Sequence, residues 1–435
     1  MENTQGEKAR TRRDLVENSR RDSDNSNNSN NSNNSSHWRS SIQIDAGIII
    51  VVVLMLAFGL VMLFSASMSE SITEGSSSTS YLVRQTAASL IGVGVMYILS
   101  RFNLKVFDKP IFAVIAYLVS LILLILTLFT DPINGARRWL SIPGFGTFQP
   151  SELTKVVTVY TIAVYESWLF KERASGKYAR KTGLSGAIQD ALLDIVVPVG
   201  FTLVPIAVMS MQTHMSGIII ILLAAFATLL AAGLPLRSWL VAAVIGLAVI
   251  AVGAAGIAAA WPILPDSITG RFGHVFTRLN IFMGDSSVTE TDLYQSNQAF
   301  IAIGSGGLTG VGLGQGRQKN NYLPEVHNDY IFSSIVEETG FIGGLFVIII
   351  FAAFFILGMR VAYKSSSVYA QIVATGISTL ITLQAILNVA VNVGIVPPTG
   401  ISLPFFSYGG TSNLFFLIGV GLLLNVSKYG VRNSQ

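Results

Sequence analysis

Residues 322–340 read YLPEVHNDYIFSSIVEETG. Glu325, His327 and Asp329 crowd together just before an apolar run, and Glu337 and Glu338 follow inside it. A carboxylate at such a mouth can take a proton from a reacting hydroxyl, provided the mouth faces water. A second cluster, INGARRWLSIPGFGTFQPSELTK, covers 133–155. Gln149-Pro150-Ser151 marks a helix start, because proline suits the first helical turn and Glu152 sits early in it. Arg137 and Arg138 precede that start. Two arginines beside the positive end of a helix suit a phosphate or diphosphate. Anchoring among lipid headgroups, with Trp139, is the competing reading. Glu152 and Lys155 are three apart and share a helix face. They are either a mutual structural ion pair or the lining of a cavity that admits a polar substrate.

Two further stretches are rich in glycine. AIGSGGLTGVGLGQGRQK, 302–319, matches neither of the nucleotide-phosphate glycine patterns. Either backbones approach closely there, or its N–H groups together with Arg317 or Lys319 hold an anionic headgroup. PPTGISLPFFSYGGTSN, 397–413, carries Ser402, Ser407 and Tyr408 and reads as a shaped loop over a cavity. GRFGHVFTRLNIF, 270–282, has the amphipathic look of a piece lying in a membrane interface. The four histidines, His37, His214, His274 and His327, have no metal-ligand spacing, and there is no cysteine.

The elements that must position these groups are membrane helices. Apolar residues make up 51% of the chain and charged residues 12%. The apolar residues fall in blocks near 46–66, 82–100, 111–130, 150–170, 192–210, 216–234, 239–260, 330–358, 368–392 and 408–427. Their length predicts an all-α polytopic membrane protein of ten transmembrane helices. Residues 1–41, with NSNNSNNSNNSS among them, are too polar to bury a core and are expected to be a disordered cytoplasmic tail. The first apolar block has no cleavage signature and should stay as an anchor. With the amino terminus inside, 20 of the 28 Lys and Arg fall on the cytoplasmic side, tail included. The positive-inside rule then makes both termini cytoplasmic, with residues 429–435 as a second tail. The long loop 261–329 and all the polar clusters above would face outward. This topology accounts for the net charge of +4 without nucleic acid.

Basic groups for a diphosphate, with an acid at the rim of an outward cavity, are the parts that glycosyl transfer from a lipid diphosphate would need. The motifs GARRWL, FQPSELTK, AIGSGGLTGVGLGQG, YLPEVHNDYIFS, EETG and TGISLPFFSYGGTS, in that order over 45–428, closely resemble the SEDS proteins, the group of FtsW, RodA and SpoVE. The resemblance implies a ten-helix fold and a peptidoglycan glycosyltransferase of the bacterial cytoplasmic membrane. It implies that lipid II is polymerised at the outer face, in cell division or cell-shape wall synthesis. It also implies a class B penicillin-binding protein as partner, among other division or elongation proteins.

The family's catalytic aspartate falls on Asp329. Arg137, Arg138, Gln149, Glu152, Lys155, Lys319, Ser402 and Ser407 become substrate-binding candidates. Glu325, His327, Glu337, Glu338 and His214 are supporting ones. No dedicated cofactor is implied; a divalent cation, Mg or Mn, would be held with the pyrophosphate. The chain departs from the family at QTHMSG, 212–217, where His214 stands at an expected aspartate, and at Asn328 and Tyr330. His214 is thereby free to hydrogen-bond Glu152. A flippase for lipid-linked precursors would share the ten helices and a polar cavity, but would show polar groups near the bilayer midplane and a repeat between halves. A non-catalytic scaffold would not need Asp329 or the paired arginines.

Overall fold

The computed structural model describes residues 45–428 except 74, 76, 133–136, 143–145, 213, 261–289, 321 and 399. The two expected tails and the interfacial piece at 270–282 lie outside the described residues. Each of the ten apolar blocks falls on a helix. In chain order the helices are α1 Ala46–Thr73, α2 Ser80–Arg101, α3 Pro110–Leu126, α4 Pro150–Ala174, α5 Gly183–Met211 and α6 Met215–Ala231. They continue with α7 Leu236–Ala260, α8 Glu290–Gly306, α9 Ile331–Lys364, α10 Val368–Asn392 and α11 Gly410–Ser427. A π turn, Leu192–Val196, interrupts α5. Among the described residues, eight helices are long and apolar enough to cross a membrane on those grounds alone. The other two blocks lie on α4, which carries charges near both ends, and on α6, whose 17 residues fall short of the usual span.

Helix α10 stands at the centre and packs against α4, α6, α9 and α11. Close approach explains the contact: a Cβ on Gly376 would stand 2.5 Å from Val159 of α4 and 2.7 Å from Thr228 of α6. Lipid gives helices no hydrophobic reason to associate, so small residues that let backbones meet do much of that work. Helix α7, by contrast, exposes Leu240, Leu247, Val249 and Ile250 and forms a lipid-facing edge.

Three features differ from the expected architecture. A short antiparallel ribbon, β1 Leu140–Ile142 with β2 Gly146–Phe148, leads into α4; strands of three residues are too short to show alternation. Helix α8 lies within the expected outer loop. Helix α9, expected to be continuous, opens at Gly340, whose φ of 72° is left-handed, just after Glu337 and Glu338.

The opening of α9 frees backbone groups that an apolar setting cannot satisfy. The glycine-rich loop supplies their partners. Val311 N–H donates to Glu337 O at 2.9 Å, Gly312 N–H to Glu338 O at 3.0 Å, and Phe341 N–H to Gly307 O at 2.9 Å. A Cβ on Gly306 or Gly310 would sit 2.1 Å from a carbonyl oxygen of α9. The glycines are there because the two backbones touch.

Candidate active site

Five segments meet around one polar cavity of about 290 Å³: the ribbon with the start of α4, the α5–α6 turn, the turn before α9, α10 through Gln384, and the loop before α11. Arg138, Gln149, Glu152, Lys155, His214, Glu325, Asp329 and Ser402 all line it. Proline at the first position of α4 and Gln149 at its cap start the helix as expected and aim its positive end at the cavity.

On the cavity floor Lys155 is 1% exposed. Its Nζ lies 2.8 Å from both carboxylate oxygens of Glu152 and donates at 2.6 Å to Gln384 Oε1. Gln384 in turn donates to Ser402 O and Oγ, both at 3.2 Å. Glu152 and Lys155 therefore form the ion pair, and that pair is itself the cavity floor. Arg138 stands on the wall, its Nε donating to Gln212 O at 3.3 Å. His214 makes no hydrogen bond to Glu152, and its Nδ1 is buried without a partner. Burial first, then the positive charges of Arg138 and Lys155, hold this imidazole well below its usual range, so it is neutral at physiological pH.

Asp329 lies two residues before α9 and is half-buried. Its carbonyl oxygen accepts from Asn388 Nδ2 at 2.9 Å and Asn392 Nδ2 at 3.0 Å. Asn392 Oδ1 also accepts from Ser333 N–H and Oγ–H, at 3.1 and 2.7 Å. A Cβ on Gly400, whose φ is 69°, would come within 3.2 Å of Asp329 Oδ2, so that glycine leaves the carboxylate room. Glu325 is held in a left-handed conformation, φ 55°, and its Oε2 accepts from Asn328 Nδ2 at 2.6 Å.

The remaining candidates lie outside the cavity. Arg137 is exposed, with its guanidinium donating to Leu128 O at 3.2 Å. Ser407 braces the rim, donating to Asn328 O at 2.6 Å and accepting from Leu403 N–H at 2.7 Å. Lys319 is 5% exposed and paired with Glu338 at 2.7 Å, so its charge is spent inside the fold and not offered to a headgroup. Ser65 Oγ and Gly314 N–H also donate to Glu338. Glu337 accepts from Arg317 and Gln318 N–H, at 2.7 and 3.2 Å. These two acids fasten the glycine-rich loop to α9. His327 packs against Tyr81, Tyr408 and Glu70.

Sequence reasoning missed Gln384, Asn388 and Asn392. Their signal is a run of amide side chains at four-residue spacing on one face of an otherwise apolar span. Among the described residues no group of three or more His, Asp and Glu is placed to hold a metal ion. A larger cavity, about 460 Å³, opens at the far end of α4 beside Glu166, Arg173 and Arg180. There both arginines are already bound to Asp190 and Asp194.

Comparisons with known proteins agree along almost the whole chain. The family model FTSW_RODA_SPOVE, described as "Cell cycle protein", matches residues 45–431. The probable peptidoglycan glycosyltransferase FtsW of Geobacter sulfurreducens is 32% identical over 88% of this chain and 95% of its own length. Stage V sporulation protein E of Bacillus subtilis is 30% identical over 88% of this chain and 97% of its own. Among solved structures, a chain of a peptidoglycan synthase complex superposes with a TM-score of 0.65 at 23% identity, over 91% of this chain and all of that one. The Thermus thermophilus rod shape determining protein RodA gives 0.59 at 23% identity, over 92% of this chain and all of its own. At that identity the two structures speak for the fold.

Proposed function

The chain belongs to the FtsW/RodA/SpoVE family of cell cycle proteins, and we propose that the cavity around Asp329 is where it joins lipid II into glycan strands. It is a multi-pass membrane protein and a peptidoglycan glycosyltransferase, as its relatives are named. The observation that carries the site is the convergence of Arg138, the start of α4, Lys155 and Asp329 on one cavity.

In the proposed step a sugar hydroxyl attacks the anomeric carbon of the donor. Asp329 takes its proton, while the carbon–oxygen bond to the pyrophosphate breaks. Arg138 and the α4 amino terminus offset the charge that develops on the departing diphosphate. Lys155, already neutralised by Glu152, fixes the floor and orients Gln384 and Ser402. A divalent cation would take most of its ligands from the pyrophosphate, with carboxylates that line the cavity, such as Asp329 and Glu325, available for the rest.

Counting α4 and α6 with the eight apolar helices gives ten spans, and the distribution of Lys and Arg turns the cavity outward with both termini in the cytoplasm. Asp329 and a helix-end cavity at one surface favour a polymerase over a flippase, whose polar groups would cluster near the bilayer midplane. The partner in this reading is a class B penicillin-binding protein, within a division or elongation assembly.

The test is on the wall. Lysine keeps the charge of Arg138 but loses its two-pronged donor geometry. In membranes containing equal amounts of protein, Arg138→Lys should lower the rate of lipid II use at least tenfold, roughly 1.4 kcal/mol. Exposed Arg137→Lys should change it far less. Full activity in Arg138→Lys would return the arginine to headgroup anchoring.

A further inference from the structure

Glu70 is the one ionisable residue in α1, and it sits in the last turn, at the end of the bundle that carries the cavity. Its Oε2 lies 2.6 Å from Nδ1 of His327, a close polar contact without full hydrogen-bond alignment. The imidazole side chain is 4% exposed and that of Glu70 33%, so the pair closes the rim from the water side. Tyr81 of α2 and Tyr408 of the loop before α11 pack against the imidazole, with ring centroids at 5.0 and 5.8 Å, and against each other at 4.6 Å.

The backbone of this turn is held at three successive carbonyls. His327 O accepts from Tyr408 N–H at 2.8 Å, Asn328 O from Ser407 Oγ–H at 2.6 Å, and Asp329 O from Asn388 and Asn392. All of those donors belong to α10 and the loop before α11. On the α1 side the His327 side chain is held between Tyr81 and Glu70, while Leu323, Val326 and Tyr330 pack on Ala299 of α8. Without the carboxylate, the buried Nδ1 loses its charged neighbour, and the ring has less to resist a turn about its side-chain bonds.

We propose that Glu70 is a positioning residue for Asp329, acting through His327 to clamp the α1 end of the bundle onto the turn before α9. This inference rests on the enzymatic reading above. A carboxylate displaced by about 1 Å loses much of its value as a base, because proton transfer needs hydrogen-bond reach. The effect should therefore fall on kcat and spare KM.

The test is a double-mutant cycle on purified full-length protein together with a class B penicillin-binding protein and lipid II as substrate, using Glu70→Gln, His327→Gln and the double variant. Each single change should lower kcat about three- to tenfold, with KM within about twofold of wild type. The double variant should be no slower than the slower single one, because one linkage is being cut twice. The thermal unfolding midpoint of Glu70→Gln should stay at the wild-type value. A wild-type kcat in Glu70→Gln, effects that multiply in the double variant, or a lowered midpoint with kcat intact would overturn the clamp. Wild-type protein that forms no glycan would instead overturn the enzymatic reading, so the two failures are distinct.

Discussion

Asp329→Asn should abolish glycan polymerisation while the protein folds, inserts and binds its partner as before. The amide keeps the size and much of the hydrogen bonding of the carboxylate but cannot take a proton from the attacking hydroxyl. Loss of a positioned general base costs about 10²–10⁴-fold. The substitution leaves the turn in place, because Asn388 and Asn392 bind the Asp329 carbonyl oxygen and not its carboxylate. Rates of lipid II polymerisation, with thermal unfolding as the control for folding, check the expectation. An asparagine variant within about threefold of wild type, well short of the loss expected for a base, would take Asp329 out of the chemistry.

The second large effect is on stability, and it lies away from the cavity. Glu338 holds Lys319, Ser65 and the N–H of Gly314, all at or near the break in α9. Glu338→Ala leaves the Lys319 ammonium buried and unpaired, which costs roughly 3–5 kcal/mol when one partner of a buried pair is removed. The unfolding midpoint in detergent should drop by about 5 °C or more. Changing both partners to methionine should recover most of the loss, because no uncompensated charge then remains. If Glu338→Ala unfolds like wild type, the pair does not secure the glycine-rich loop.

Much of the frame is legible in the sequence because lipid imposes it. A span needs about twenty apolar residues, so the ten blocks mark the helices and Gln149-Pro150 marks where α4 begins. The grouping of Arg138, Glu152, Lys155 and Asp329 could be expected because each is a costly polar group at a helix end. Composition does not reveal which basic residues are already spent. Lys319 and Arg137 look like Lys155 and Arg138 in the sequence, yet neither lines the cavity: one is sealed against Glu338 and the other faces away.

The amides that hold Lys155 and the Asp329 backbone are hidden for a related reason. Gln384, Asn388 and Asn392 carry no charge, so a search for ionisable groups passes over them. The break at Gly340 depends on the glycine-rich loop, which is distant in sequence, for its hydrogen bonds. His214 brings a neutral ring to the cavity, and Lys155 pairs with Glu152 along its own helix.

The cavity around Asp329 is the proposed site of lipid II polymerisation. Purified full-length protein with a class B penicillin-binding protein, given labelled lipid II, should release long labelled glycan strands. Those strands should disappear with Asp329→Asn and persist when the partner's transpeptidase is blocked. Labelled lipid II that crosses a vesicle bilayer without being joined, or that stays monomeric in the presence of folded wild-type protein, would contradict the account.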